Sequence, residues 1–199
     1  MRARWLLLGS LITLVAVAAA LAYRYVPPPR DELAAMEQTA AALESAFLPG
    51  WPDQYVGRSL PTSARAAIDA EYRRAVGRLG TQEFARSFEG SDSHARIMIW
   101  AQREGGRNDY VVRHWFVPER ARFVRRLWNG DVEVEVIGRE HDAEAQWSPT
   151  RERIARITER QAFYRDLIRF RMRNEDGRWK VVAKERIDAI DDAGEIVHG

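Results

Sequence analysis

The chain contains no cysteine. That excludes disulfides, thiolate catalysis, Cys-ligated zinc and a lipid-modified cysteine near the start. Lysine is almost missing too: only Lys180 and Lys184 stand among 31 basic residues, and the other 29 are Arg. Guanidinium groups suit bidentate recognition of carboxylate or phosphate, although the many Ala make a GC-rich genome the simpler source of the bias. Acids are absent from residues 1–30, where Arg2, Arg4, Arg24 and Arg30 are the charged side chains. Taking those four from 31 basic residues leaves 27 against 29 acids, a net charge of −2 for the remainder, so the pI of 9.1 belongs to the first segment. No overall positive excess remains to neutralise phosphates, and a nucleic-acid partner is not expected. Internal repeats are lacking as well.

What is present supports one folded domain. The 199 residues are 46% hydrophobic and include 7 Trp, 7 Phe and 6 Tyr. That is enough apolar surface to offset chain entropy once, and not comfortably twice. Trp5 to Tyr23 is an uncharged run of 19 residues. As a helix it rises about 28 Å, close to the roughly 30 Å hydrocarbon core of a bilayer. Trp5, Tyr23 and Tyr25 flank it where aromatic rings favour the interface, and Arg2 and Arg4 favour a cytoplasmic N-terminus. The expectation is a bacterial inner-membrane protein with a transmembrane anchor in residues 1–25, in bilayer contact through residues 5–23, and a periplasmic or extracellular domain. Ala20-Leu21-Ala22 leaves open the alternative of a cleaved signal peptide.

After the anchor, residues 26–48 read as a Pro-rich stiff spacer, Val26 to Arg30, and an amphipathic helix from Asp31 to Leu48. Leu33, Met36, Ala40, Leu43 and Phe47 form its apolar stripe, and Pro49-Gly50 ends it. Trp51 to Leu60 is irregular. A second helix, capped by Thr62 or Ser63, runs to Leu79, and Thr81 to Phe88 adds a helical turn or two. Beyond Ser93 the period falls to two, as strands require. The strands expected are residues 95–102; Tyr110 to Val117, interrupted by Pro118; Arg122 to Trp128, leading into an Asn129-Gly130 turn; and Val132 to Ile137. A turn from Gly138 to Asp142 then precedes Ala143, Ala145 and Trp147. A long stretch follows from Ile154 to Met172, with a break near Gln161, and Asn174 to Gly177 turns into a last strand carrying Trp179, Val181 and Ala183. Asp188 to Gly199 is mostly acidic and is expected to be loosely held, with residues 191–199 as the tail beyond the domain. The fold class is α+β, with helices packed on a strongly curved, cone-like antiparallel sheet, and the domain spans 49–190.

Tyr164 to Val182, with Asp176, Gly177 and Trp179, resembles the final hairpin of the nuclear transport factor 2-like superfamily. Membrane-anchored members of that type include the periplasmic assembly subunit of type IV secretion systems and actinobacterial proteins associated with lipid importers. The resemblance implies a non-enzymatic, exported scaffold or assembly subunit whose partners are envelope membrane proteins or further copies of the chain in a homo-oligomer. It also implies an alternative, because other members use a cone-bound Asp, His or Tyr to move protons.

For that alternative, His114 with Asp109 and Tyr110 are the acid-base candidates, since imidazole titrates near neutrality. His94 and His141 lack nearby nucleophiles. His141-Asp142 with Glu140 and Glu144 reads as a solvated acidic turn; neither a metal nor a cofactor is expected. Charge patterning says more. Asp131 to Gln146 holds 6 acids and 1 Arg, whereas Arg151 to Ile187 holds 12 basic residues and 6 acids. Antiparallel neighbours of this kind pair across an outer face; alternatively Arg169, Arg171 and Arg173 dock an acidic partner or headgroups. Trp51, Trp115, Trp128, Trp147 and Trp179 are core candidates. Trp100, out of phase with Ile97 and Ile99, is a candidate interface residue.

Overall fold

A computed structural model describes residues 2–47, 50–88 and 109–190; for residues 2–11 and Asp109 it describes the backbone alone. The expected strand at 95–102, with His94 and Trp100, and the tail at 191–199 lie outside the described residues.

The chain is α+β. Helix α1 (Arg2–Tyr23) leads to α2 (Arg30–Phe47), a single 3-10 turn (Asp53–Tyr55), α3 (Thr62–Leu79) and the short α4 (Gln82–Arg86). Five antiparallel strands follow: β1 (Asp109–Arg126), β2 (Val132–Ser148), β3 (Arg153–Gln161), β4 (Arg165–Glu175) and β5 (Arg178–Ile190). They form an open sheet in the order β1-β2-β4-β5, with β3 pairing only β2 among the described residues. Among the described residues no helix is long and apolar enough to cross a membrane, so the transmembrane anchor expected in residues 1–25 is without support from them.

Helices α2, α3 and α4 each bury part of the apolar stripe their sequence provides, whereas the described side chains of α1 stay largely exposed. Met36, Ala40 and Leu43 of α2 and Tyr72 and Val76 of α3 are buried against Val132, Val134 and Val136 of β2 and Ile168, Phe170 and Met172 of β4. Helix α3 begins at Thr62 after Pro61, without the expected hydroxyl cap; proline preceding the first turn gives up no N–H the helix needs. Thr81 caps α4 instead, accepting from the Phe84 N–H at 3.3 Å.

Two expected interruptions are absent. Pro118 does not break β1, because β1 is an edge strand among the described residues and the register shifts just after Pro118, so no ladder N–H is lost. The edge is covered in part: Ser45 Oγ accepts from the Phe116 N–H at 2.9 Å, and the Trp51 N–H donates to the Val111 carbonyl at 2.7 Å. Nor is there a turn at Gly138 to Asp142, since β2 runs through it. Val132 to Gly138 pairs with β4, and His141 to Ser148 pairs with β3. The first half buries Val132, Val134 and Val136 under the helices, whereas the second half buries Ala143 and Ala145, on the opposite face, against Trp51, Val56 and Leu60. The change of buried face looks like a turn in sequence. Gly138 sits at the crossover, where an added Cβ would lie 2.4 Å from Phe116 Cζ.

The Asn129-Gly130 hairpin forms. The Gly130 N–H donates to the Leu127 carbonyl at 3.0 Å, and Gly130 takes φ +86°. Trp128 therefore occupies the outer corner of the turn and is 69% exposed; the core role expected of it is not met. The acidic stretch from Asp188 is likewise not loose at its start, since β5 continues to Ile190.

Candidate functional site

On the helix-facing side of the sheet, the apolar core gives way to charge where α2 ends. Even-numbered residues of β2 continue along that face past Gly138, and the next two are Glu140 and Asp142. Opposite them in the register stand Phe116 and His114 of β1. The His114 ring, 3% exposed, holds Asp142 with Nδ1 at 2.7 Å from Oδ1. From β4 comes Asp166, buried and bonded to Arg186 of β5. From α2 comes Glu44, whose two oxygens take Lys184 Nζ at 2.8 and 2.9 Å, while that ammonium also lies 3.8 Å from the Phe47 ring centre.

Two of these cations reach the site through a backbone irregularity. Met172 pairs with Val181, but Arg171 pairs with Ala183, so Val182 is an extra residue in β5. Before this bulge the odd residues face the core, and Val181 is buried there; after it the even ones do, so Lys184 stands opposite Phe170. A bulge that re-aims side chains in this way is a recurrent feature beside functional sites. Simple alternation, which placed Ala183 inward and Lys184 outward, is corrected here.

Burial raises three of the carboxyls above their ordinary values. Glu44 is raised by burial against the opposing pull of Lys184, and Asp166 by burial against Arg186. Glu140 is raised by burial and then by the neighbouring Asp166, with His114 and Arg186 opposing. The group thus combines carboxyls that ionise less readily than in water, a histidine bonded to an aspartate, and two partly exposed cations, the residue types that general acid-base chemistry uses.

The acid-base trio expected from sequence is not brought together. His114 takes Asp142 as its partner, Tyr110 packs on Trp51 with ring centres 5.6 Å apart, and Asp109 starts β1 opposite Gln146. Glu140 to Glu144 is strand, not solvated turn; His141 leaves the site and stacks on Trp115 at 5.4 Å. Glu44, Asp166, Lys184 and Arg186 were missed, and Glu140 was read only as part of the turn. The alternation running on from Val136 through Gly138 to Glu140 was the signal for its place in the site. Among the described residues no group of three or more His, Asp or Glu could hold a metal ion.

The outer face carries the expected cross-strand charge pairs. Glu135, buried despite facing outward, accepts from Arg122 Nε at 2.5 Å and from Arg169 Nη2 at 2.7 Å. Asp131 accepts from Arg173 Nε at 2.7 Å, with Arg171 Nε 3.8 Å away, and Glu133 accepts from Arg125 Nε at 2.6 Å. Burial opposes ionisation of Asp131 and Glu135, but the guanidinium hydrogen bonds and charges outweigh it and hold both carboxyls below their usual range. Arg169, Arg171 and Arg173 thus face acids of their own sheet. Arg169 and Arg171 also line a depression with Glu133, Ala183, Lys184 and Glu185.

No known protein family matches the chain, and no curated protein does. Among solved structures, the intermembrane-space region of the chloroplast protein ARC6 is similar with a TM-score of 0.34 and 8% identity, over 75% of this chain and 95% of that one. A likeness at that level decides neither fold nor function.

Proposed function

We propose that the chain is a single-pass membrane-anchored assembly module. In this reading α1 spans a bacterial inner membrane, and the cone-like, nuclear transport factor 2-like domain acts outside the cytoplasm as a scaffold in an envelope complex, such as a secretion or transport machine. One observation carries it. In α1, Ile12, Leu14, Val15, Val17 and Leu21 are 46–68% exposed. A helix that is apolar around its circumference belongs in a protein core or a bilayer, and the described residues include no core cluster that takes in this one. For contacts with partners, β3 is largely exposed on both faces and pairs only β2 among the described residues, beside Phe163, which is 93% exposed. Extraction and mild-detergent purification test the reading. It expects retention in membranes washed with alkaline carbonate and specific co-purification of envelope proteins. Release by carbonate, or recovery only as a lone monomer, overturns it.

A second reading rests on the site at the end of α2. The His114–Asp142 pair beside Glu140 suits proton transfer on a small molecule entering at the rim. It requires a ligand that raises the melting temperature of the parent chain and not that of His114→Gln. A broad small-molecule screen without such a ligand removes it.

A further inference from the structure

We propose that the tip of the β1–β2 hairpin is a second membrane contact. Trp128, with Arg24 and Arg126 beside it, lies in the headgroup layer of the bilayer that α1 enters and sets the angle of the domain to that surface. This rests on the reading of α1 as the anchor and adds to it a site on the folded domain.

The geometry begins with a clamp. The Arg126 N–H donates to the Arg24 carbonyl at 2.8 Å, and Arg24 Nε donates to the Arg126 carbonyl at 3.3 Å. The two guanidinium groups then stack crosswise: Arg24 lies 4.9 Å from the centre of the Trp128 ring, and Arg126 lies 5.1 Å from the centre of the Tyr23 ring. The end of β1 is therefore joined to the end of the apolar helix, and Val26 to Arg30 does not hold the domain away as a spacer would. Pro28 is itself buried.

The composition of this corner fits one environment. Tyr23, Tyr25 and Trp128 are exposed aromatic rings, Leu21 and Val17 continue the apolar surface below them, and two guanidinium groups stand among the rings. Amphipathic rings favour the boundary between hydrocarbon and water, with the ring body in the apolar layer and the polar edge outside. Guanidinium groups pair with phosphate oxygens in bidentate fashion, and a cation held over an indole face keeps its charge beside the ring that enters the layer. Exposed apolar patches of this kind receive either a protein or a membrane surface. This one is continuous with the exposed apolar face of α1, so the bilayer is the occupant.

The absence of cysteine makes the test direct. The full chain is reconstituted into vesicles of phosphatidylcholine and phosphatidylglycerol containing a headgroup nitroxide lipid. It carries a fluorophore on Asn129→Cys, at the hairpin tip, or on Thr150→Cys, in the turn at the other end of β2. The expected result is flotation of both with the vesicles, quenching at Asn129 and none at Thr150. Adding Trp128→Ala loses the quenching, and Trp128→Tyr, which keeps an interfacial ring, retains it. Flotation with equal brightness at both positions overturns the second contact and leaves the anchor standing. So does quenching at Asn129 that Trp128→Ala leaves unchanged. Failure to float overturns the anchor and the inference with it.

Discussion

Replacing Lys184 by Met removes one positive charge from the end of α2 and keeps most of the aliphatic stem against Phe47. The partner left behind is Glu44, whose side chain is 12% exposed, where Lys184 itself is 27% exposed. Breaking a buried pair costs about 3 to 5 kcal/mol; the partly open rim reduces this to about 2 to 3 kcal/mol at neutral pH. Proton uptake limits the penalty. Burial already raises the Glu44 carboxyl above 4.5, and losing the ammonium raises it further, each additional unit corresponding to about 1.4 kcal/mol. The folded state then holds its proton to higher pH than the unfolded chain, so the variant's deficit grows as pH rises through the window above 4.5 and disappears below it. Urea unfolding of the full chain in mild detergent, followed by Trp emission at about pH 4 and about pH 7.5, reads both limits. The double variant Glu44→Gln with Lys184→Met recovers most of the neutral-pH loss. An equal deficit at both pH values, with no recovery in the double variant, refutes the electrostatic account and makes Lys184 a packing residue.

Three further outcomes follow from the same structure. Gly138→Ala places a Cβ 2.4 Å from Phe116 Cζ and 2.5 Å from the Val117 carbonyl oxygen; it lowers stability by about 1 to 3 kcal/mol, measured by urea unfolding. Gly77→Ala, near the end of α3 with nothing within 4 Å of the new Cβ, raises stability by up to about 1 kcal/mol through helix propensity, read as a higher melting temperature. Melting temperature against pH peaks on the mildly acidic side. The depressed carboxyls of Asp131 and Glu135 lose their contribution as pH falls below the ordinary range, and the raised carboxyls of Glu44, Glu140 and Asp166 lose theirs as pH climbs above it. A profile flat from mildly acidic to neutral pH contradicts this balance.

Local patterns in the sequence announced local structure. The stripe Met36, Ala40, Leu43 and the alternation Ile168, Phe170, Met172 depend on neighbours a few residues away, and both held. The Asn129-Gly130 and Asp176-Gly177 turns held because Gly130, Asp176 and Gly177 take φ greater than zero, which Gly and Asp accept more readily than other residues. The site was not legible, for two physical reasons. Lys184 and Arg186 reach it only because Val182 is bulged, and a bulge is fixed by pairing with β4, some ten residues upstream. Glu140 and Asp142 reach it because β2 keeps its alternation while changing partner and buried face, which in one dimension is indistinguishable from a turn. Trp128 failed as a core residue for a simpler reason: turn position outranked hydrophobicity. The charge blocks were read correctly as cross-strand pairs, since register brings Glu135 opposite both Arg122 and Arg169.

The division of β2 into two halves that bury opposite faces also sets how the chain can change in length. Inserting or deleting one residue between Gly138 and Ala143 reverses one half relative to the other. Either Val132, Val134 and Val136 or Ala143 and Ala145 would then turn to solvent, and Glu135 or Glu144 would turn inward. Changes of two residues preserve both clusters. Length variation in this strand is therefore expected in even steps, while the turns at Asn129 and Thr150 accept odd ones.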